Sequence, residues 1–435
     1  MTDNSKTFLT DTLDEKTIIA LNLFWTGFII YTVSYAISST EHINDKVING
    51  FQILGLLLLV PSSALLIRFR IESKYLRALF ILYYCWLISV MMRGFEFDYL
   101  SLKNMLFNND FGIFLYFVPL IILFPRNILY FKKLFDVIVI LSLVFIIYDV
   151  LFLKELLYRF GDNTTSQGII EIFSRHLSLP CGFLLLTFIY NSKIRNLFAL
   201  FIIVLTFLLA VIRARRGLIF MSFTMLTFSY FIYQYANKTK VINIVLSLFL
   251  VSFISFMAVK LYTENRNDTF SLITERIGQQ TRTEVEQYFY KDMTTKDWII
   301  GRGINAKYFC PGVTIGIGEV SIYRRVIETG YLQMILNGGI ISLGLLLLMA
   351  IPAIFKGLFN SKNILSKAAG IWILLFLLYM YPATPFGFSL NYILVWISIG
   401  ICYSSKLRGM SDDTIKEIFS VKKKIFRAND QPEFL

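Results

Sequence analysis

Long apolar runs recur along the whole length of this sequence, and they restrict the folds open to it more than any other feature. The runs are about 15 to 22 residues long, close to the length that a helix needs to cross the hydrocarbon core of a bilayer. Of the 435 residues, 56% are hydrophobic and only 16% are charged. A soluble chain would interrupt such runs with polar positions at the period of a helix or a strand. The sequence therefore predicts an integral membrane protein.

The runs predict helices, because the sequence lacks the segments of about ten residues with alternating hydrophobicity that transmembrane strands need. Backbone groups in hydrocarbon find their hydrogen-bond partners inside a helix. We predict an all-α integral membrane protein with about twelve transmembrane helices, of which the tenth is broken by "NGG" at 337–339 and could hold a re-entrant piece. The predicted spans are 18–38, 48–67, 76–92, 111–124, 134–153, 176–190, 197–212, 217–235, 241–262, 329–355, 368–386 and 388–404.

Lysine and arginine are spread unevenly over the loops between these spans. Loops with "RFRIESKYLR", "PRNILYFKK", "NSKIRN", "NKTK" and "KGLFNSKNILSK" fall on one side together with both termini. The positive-inside rule makes that side cytoplasmic. The first run has no small-residue cleavage site, so we expect it to be a retained helix. The predicted regions are a cytoplasmic N-terminus (1–17), helices one to nine (18–262), a large outer loop (263–325), helices ten to twelve (326–404) and a basic cytoplasmic tail (405–435).

One short turn breaks the positive-inside pattern. Arg213, Arg215 and Arg216 lie in "VIRARRGLIF", which the threading places at the outer face. An arginine costs about 2.5 to 3.5 kcal/mol at a helix centre and less near the interface. Snorkelling side chains at a helix end are one explanation, and an anion held at the outer interface is another. Three arginines in one short outer turn favour the bound anion.

The large outer loop divides into three parts. Residues 269–291 space apolar side chains like amphipathic helices that lie on a membrane surface. Glycines are dense in 297–319, which predicts a structured loop. The third part carries Arg324, Arg325 and Glu328 into the start of a helix.

On a helix, Glu328 would share a face with Arg324 and Arg325, four and three residues before it. A salt bridge is one interpretation of this spacing. The other is a general base, Glu328, whose position and ionisation the arginines set.

The sequence gives no reason to expect a metal or another cofactor. The only two histidines, His42 and His176, are far apart, and no cysteine or carboxylate cluster has the spacing of a metal site. Of the four cysteines, Cys310 alone is predicted to lie outside, so no disulfide framework is indicated. Glycine motifs of the nucleotide-binding type are missing as well, which argues against an ATP-driven pump.

Three motifs resemble those of the bacterial O-antigen polymerases (Wzy-type), within the superfamily that includes the O-antigen ligases. They are "KDWIIGRGIN", then "IETGYLQMILNGGIISLGLLLL" after a variable outer loop, and "RARRG" opening a helix. The resemblance covers roughly residues 200–350 in detail. It implies a GT-C-like, metal-independent membrane glycosyltransferase that needs no cofactor. Its substrates would be undecaprenyl-diphosphate-linked oligosaccharides at the periplasmic face of the bacterial inner membrane.

The resemblance also implies roles for particular residues. Glu328 would be the general base, and the arginines of the outer turn would bind the departing diphosphate. Arg302 and Gly312 nearly match the arginine-to-glycine spacing of some polymerases, which makes Arg302 a further candidate. The predicted substrate-binding residues are Arg213, Arg215, Arg216, Arg302, Arg324, Arg325 and Tyr331.

Two other functions stay open at this stage. Ligases of the superfamily carry a functional histidine in the large outer loop, and 263–325 contains none, which favours a polymerase. A lipid-linked oligosaccharide flippase would also have about twelve helices, but such transporters are commonly built from two repeated halves, and no repeat is visible here. The expected partners are lipid-linked oligosaccharides and membrane lipid, with a chain-length regulator and a flippase as further candidates and no nucleic acid. The sequence leaves open the sugar, the linkage, and whether the product is O-antigen, capsule or exopolysaccharide.

Overall fold

A computed structural model describes residues 14–40, 42–125, 127–157, 163–238, 281–311 and 322–419. The structure is mostly helical (77%), and within the described ranges eight helices are long and apolar enough to cross a membrane. The prediction of a helical, membrane-embedded chain is therefore confirmed. The predicted ninth span, 241–262, and the first part of the outer loop, 263–280, lie outside the described residues.

The elements follow in chain order. The helices of the first half are α1 (Glu15–Ser38), α2 (Asp45–Leu66), α3 (Lys74–Met92), α4 (Tyr99–Phe107), a 3₁₀ helix (Ile113–Leu123), α5 (Ile128–Leu151), α6 (Leu153–Leu157), α7 (Asn163–Phe173), a π-helical turn (Ser174–Ser178), α8 (Cys181–Leu186), a 3₁₀ turn (Phe188–Tyr190), α9 (Lys193–Ile212) and α10 (Arg216–Ala236). The second half contains α11 (Thr281–Asp292), α12 (Thr295–Ile300), β1 (Tyr308–Phe309), β2 (Tyr323–Arg324), α13 (Gly330–Leu358), α14 (Ile364–Tyr379), α15 (Leu390–Tyr403) and α16 (Ser405–Gly409).

The connecting segments gather at two ends of the helix bundle. At one end, which we call the tail end, the Arg68 guanidinium lies 3.2 Å from the Asp14 carboxylate, and Ser404 donates to Glu72. At the other, which we call the loop end, Arg93 donates to the carbonyl of Ile300 at 2.6 Å. The loops that the sequence assigned to the same side of the membrane thus contact one another.

Small residues allow the first two helices to pack closely. A Cβ atom on Gly27 would lie 2.6 Å from the carbonyl oxygen of Gly55, and one on Gly55 would lie 2.8 Å from that of Gly27. Neither position therefore has room for a side chain. Close approach through small residues is a common way for helices to associate where lipid surrounds them.

The predicted short span at 111–124 is a 3₁₀ helix rather than an α-helix. A 3₁₀ helix rises about 2.0 Å per residue, so the 11 residues of Ile113–Leu123 extend roughly 22 Å. Its last carbonyl, on Leu123, accepts a hydrogen bond from the Arg68 amide at the tail end. The tighter winding lets a short segment reach from one end of the bundle to the other.

The predicted span at 368–386 is wrong at its C-terminal end. The helix α14 stops at Tyr379, and residues 380–389 are irregular. Pro382 and Pro385 explain the stop, because proline lacks a backbone N–H and disfavours helical geometry in the residue before it. Gly330, which begins α13, donates its N–H to the carbonyls of Met380 and Ala383. The segment 380–389 therefore lies at the loop end beside the start of α13.

The outer loop forms its own small hydrophobic cluster. The helix α11 buries Val285 and Phe289, and the Phe289 ring lies 5.6 Å from that of Tyr308 and 5.7 Å from that of Trp298. The predicted amphipathic helix is thus present over its described part. Its apolar face packs on protein rather than on a membrane surface.

Two other expectations for this region need correction. Residues 297–300 are helical, not part of the glycine-rich loop, because the capping box of Thr294 and Asp297 begins α12. Arg324 lies in strand β2, where it pairs with Tyr308, and α13 starts only at Gly330. The arginines and Glu328 therefore do not share a helix face.

Candidate functional site

The glycine-rich motif "IIGRGIN" packs directly on the "NGG" sequence of α13. The amide of Arg302 donates to the carbonyl of Leu336, and that of Gly303 to the carbonyl of Asn337, both at 2.8 Å. Gly339 has a φ of 68°, and a Cβ atom on it would lie 2.0 Å from the carbonyl oxygen of Ile299. Only glycine tolerates both this backbone conformation and this approach. The "NGG" break is thus a kink inside α13, which continues to Leu358.

This docking holds the segment that carries Glu328. The Gln333 side chain, one turn into α13, accepts from the amide of Ile327 at 2.7 Å and donates to the carbonyl of Arg325 at 3.2 Å. Thr329 directly precedes the helix and donates its hydroxyl to Glu286 at 2.5 Å. The residues on both sides of Glu328 are therefore anchored, which fixes the backbone from which its side chain extends.

Glu328 faces a cavity of about 730 Å³ at the loop end. Its volume is in the range of small-molecule and cofactor sites. Its walls include residues 214–217, the start of α10, the irregular segment 381–384, α11 and the π-helical turn. Within the described ranges, the charged residues that line it are Glu171, Arg175, Arg215, Arg216, Arg282, Arg324 and Glu328. Five arginines and two glutamates leave a formal charge of +3, so the cavity favours an anion.

Glu328 pairs with Arg282 rather than with Arg324 or Arg325. One carboxylate oxygen accepts from Nη2 of Arg282 at 3.2 Å and from Nε at 3.3 Å. Arg282 also donates to the carbonyl of Pro382 at 3.0 Å. The salt-bridge interpretation of Glu328 is correct in kind, but the partner comes from α11.

The second carboxylate of the cavity, Glu171, lies between two arginines. It forms an ion pair with Arg215, and its other oxygen lies 3.7 Å from the Arg175 guanidinium. Arg175 also donates to the carbonyl of Thr384, which fixes it against the irregular segment. Glu171 thus joins the turn that carries Arg215 to the π-helical turn that carries Arg175.

Behind the cavity lies a layer of buried polar groups around Asp110. Its carboxylate lies 3.7 Å from the Arg175 guanidinium, 3.3 Å from Nε2 of His176, and accepts from the Tyr35 hydroxyl at 3.4 Å. Burial alone would raise the pKa of Asp110, but Arg175 and His176 outweigh it and hold that pKa well below the usual range of a carboxyl. Asp110 is therefore an ionised counter-charge that keeps the partly buried Arg175 guanidinium in place.

The structure brings four of the predicted site residues to the cavity: Arg215, Arg216, Arg324 and Glu328. The other four are not among the residues that line it. Arg213 is buried, and its guanidinium donates to the main-chain carbonyls of Glu155 and Leu156. It therefore ties the end of α9 to α6.

Arg302, Arg325 and Tyr331 likewise make contacts within the fold. Arg302 pairs with Asp292 at 2.5 Å and with Asp297 at 2.9 Å, which holds the ends of α11 and α12 together. Arg325 donates to the side chain of Asn305. The hydroxyl of Tyr331 donates to the carbonyl of Leu377 at 2.5 Å and so joins α13 to α14.

Sequence reasoning missed three charged residues of the cavity: Glu171, Arg175 and Arg282. A signal was present for the first two, because they are four residues apart, a spacing at which opposite charges pair on a helix. Arg282 lies in the segment 269–291, of which only the spacing of the apolar side chains was interpreted.

No protein-family model matches the chain, and no curated protein or solved structure matches it either. The resemblance to the O-antigen polymerases therefore stays a prediction that rests on the quoted motifs. Among the described residues, no group of three or more histidine, cysteine, aspartate or glutamate side chains could hold a metal ion.

Proposed function

We propose that this protein is a membrane glycosyltransferase that polymerises undecaprenyl-diphosphate-linked oligosaccharide repeat units at the outer face of the bacterial cytoplasmic membrane. The observation that carries the proposal is the cavity, which combines five arginines with two carboxylates at the loop end. A diphosphate diester carries two negative charges, and the formal charge of +3 complements it. Guanidinium groups bind phosphate oxygens bidentately and remain charged in any environment.

The proposed reaction needs two kinds of groups, and the cavity supplies both. A hydroxyl of the incoming repeat unit attacks the anomeric carbon of the growing glycan, and its proton passes to Glu328. The bond from that carbon to the diphosphate oxygen breaks, and the electron pair leaves with the diphosphate. Arg215, Arg216, Arg282 and Arg324 would stabilise the departing charge.

The direction in which the cavity faces also belongs to this proposal. The loop end holds the segments that the positive-inside rule assigns to the outside, and the tail end holds the basic loops. An outward cavity would meet repeat units after they have crossed the membrane. The absence of histidine from 263–325 supports a polymerase over a ligase of the same superfamily.

Substitutions of Arg215 and Arg216 test the proposed function in cells. The double variant Arg215→Ala, Arg216→Ala should lose polymer at normal protein level, and lipid-linked single repeats should accumulate at the outer face. The lysine variants should recover little activity, because a point charge replaces the planar fork. Polymer length on gels and the sidedness of the lipid-linked repeats are the measurements.

Arg195→Ala is the matched control, since this arginine at the tail end pairs with Asp136 at 2.8 Å and is remote from the cavity. It should polymerise normally. Normal polymer from the double alanine variant would reject the role of the turn. Repeats stranded at the inner face would indicate a transporter instead.

A further inference from the structure

Both carboxylates of the cavity lie against guanidinium groups of the same cavity. Glu328 accepts from two nitrogens of Arg282, and Glu171 pairs with Arg215. The arginines that would hold phosphate oxygens are therefore partly occupied by the protein's own anions. A ligand anion has to compete with these carboxylates.

A diphosphate can displace these carboxylates from the guanidinium groups. The side chains of Glu328 and Arg282 are 52% and 38% exposed, and those of Glu171 and Arg215 are 32% and 26% exposed. Ion pairs this exposed are screened by water and contribute little to stability. A diphosphate offers several oxygens at once and makes shorter, charge-assisted hydrogen bonds to each fork. Glu328, as the more exposed carboxylate, is the easier of the two to displace.

We propose that Glu328 and Glu171 occupy the guanidinium positions that the phosphate oxygens of the donor take, and that donor binding releases Glu328 from Arg282. The released carboxylate is then free to accept the proton of the acceptor hydroxyl. This exchange rests on the proposed function, and it sets the sequence of events in the reaction. The donor binds first, and the base becomes available only when the diphosphate is in place.

The exchange can be tested by measuring the binding of inorganic diphosphate, which carries no glycan. Purified full-length protein in nanodiscs is titrated with inorganic diphosphate by calorimetry. Glu328→Gln removes the competing charge and keeps the shape, so it should lower the Kd about two- to five-fold, the size of an exposed ion pair. Glu171→Gln should change the Kd in the same direction, and Arg282→Ala should raise it.

A double-mutant cycle separates displacement from a general gain of positive charge. In the Arg282→Ala background Glu328→Gln should leave the Kd nearly unchanged, because the contested guanidinium is gone. A simple charge effect would persist in that background and would contradict the exchange. Glu96→Gln is the control, since this exposed glutamate at the loop end lies 3.9 Å from Lys307 and does not line the cavity.

Further results would support or overturn the exchange. A Kd that is equal or higher in Glu328→Gln, or no binding of diphosphate to the wild type, would overturn the exchange. Farnesyl diphosphate, as a second probe, should bind more tightly than inorganic diphosphate if the natural ligand is lipid-linked. If the cycle shows coupling while polymer survives the arginine substitutions in cells, the exchange stands and the proposed polymerase function fails.

Discussion

At the scale of single residues, burial decides what each arginine of the turn does. Arg213 is 1% exposed and is held by main-chain carbonyls, whereas Arg215 and Arg216 line the cavity two and three residues later. The sequence singled out the three arginines together as a candidate anion site. It could not divide the cluster, because the partner of Arg213 is α6, which is more than fifty residues away in the chain.

The buried counter-charge gives a prediction on stability. Asp110→Asn removes an ionised partner of Arg175 and His176 but leaves Arg175 its contact with Glu171, and a largely buried charged group that loses one of its partners destabilises a protein by about 1 to 3 kcal/mol. Thermal unfolding of the purified protein in detergent should show a clear drop. Asp45→Asn is the control, because this aspartate is 76% exposed and lies 3.5 Å from Lys103. It should change the stability by less than about 0.5 kcal/mol.

The pH dependence of this contribution has a definite sign. The pKa of Asp110 is lower in the folded protein than in the unfolded chain, so its stabilising effect is complete above the ordinary carboxyl range and is lost as the pH falls through the lower, folded value. The Asn variant should therefore differ from the wild type at neutral pH. Equal unfolding temperatures there would contradict the role given to Asp110.

At the scale of elements, the positions of the long helices were predictable and their ends were not. Hydrophobic length located α1, α2 and α3 within a few residues of the observed bounds. The same criterion extended the predicted span at 368–386 beyond Pro382. Apolar residues continue there, although the helix stops at Tyr379. Local helix spacing likewise failed for Glu328, whose partner Arg282 comes from another element.

The kink in α13 at Gly339 leads to a prediction on stability. Gly339→Ala should destabilise the protein, since alanine at a φ of 68° costs about 1 to 3 kcal/mol and its Cβ would also meet the Ile299 carbonyl. Gly344→Ala lies in the same helix with open space around it and should be neutral or stabilising by about 0.5 to 1 kcal/mol. Unfolding temperatures in detergent compare the two. Equal effects would contradict the docking of the two glycine motifs.

At the scale of the whole molecule, the fold brings together charged groups that no single stretch of sequence contains. The cavity draws its arginines from α10, α11, β2 and the π-helical turn. Composition and hydrophobic length predicted the helical bundle, and the charge of the turn at 213–216 drew attention to two arginines, Arg215 and Arg216, that line the cavity. The full site depends on contacts among distant segments, such as Arg175 with Thr384, which are 209 residues apart, and these were not visible in the sequence.

The proposed reaction joins lipid-linked repeat units in this cavity with Glu328 as the base. Its most direct test is a reconstituted reaction of the purified protein in liposomes with undecaprenyl-diphosphate-linked repeats, with product lengths read on a gel. The wild type should form a ladder of products in the presence of a chelator and release the lipid diphosphate, and Glu328→Gln should form none although it still binds inorganic diphosphate. A ladder of wild-type length from Glu328→Gln, or no ladder from the wild type, would contradict the claim.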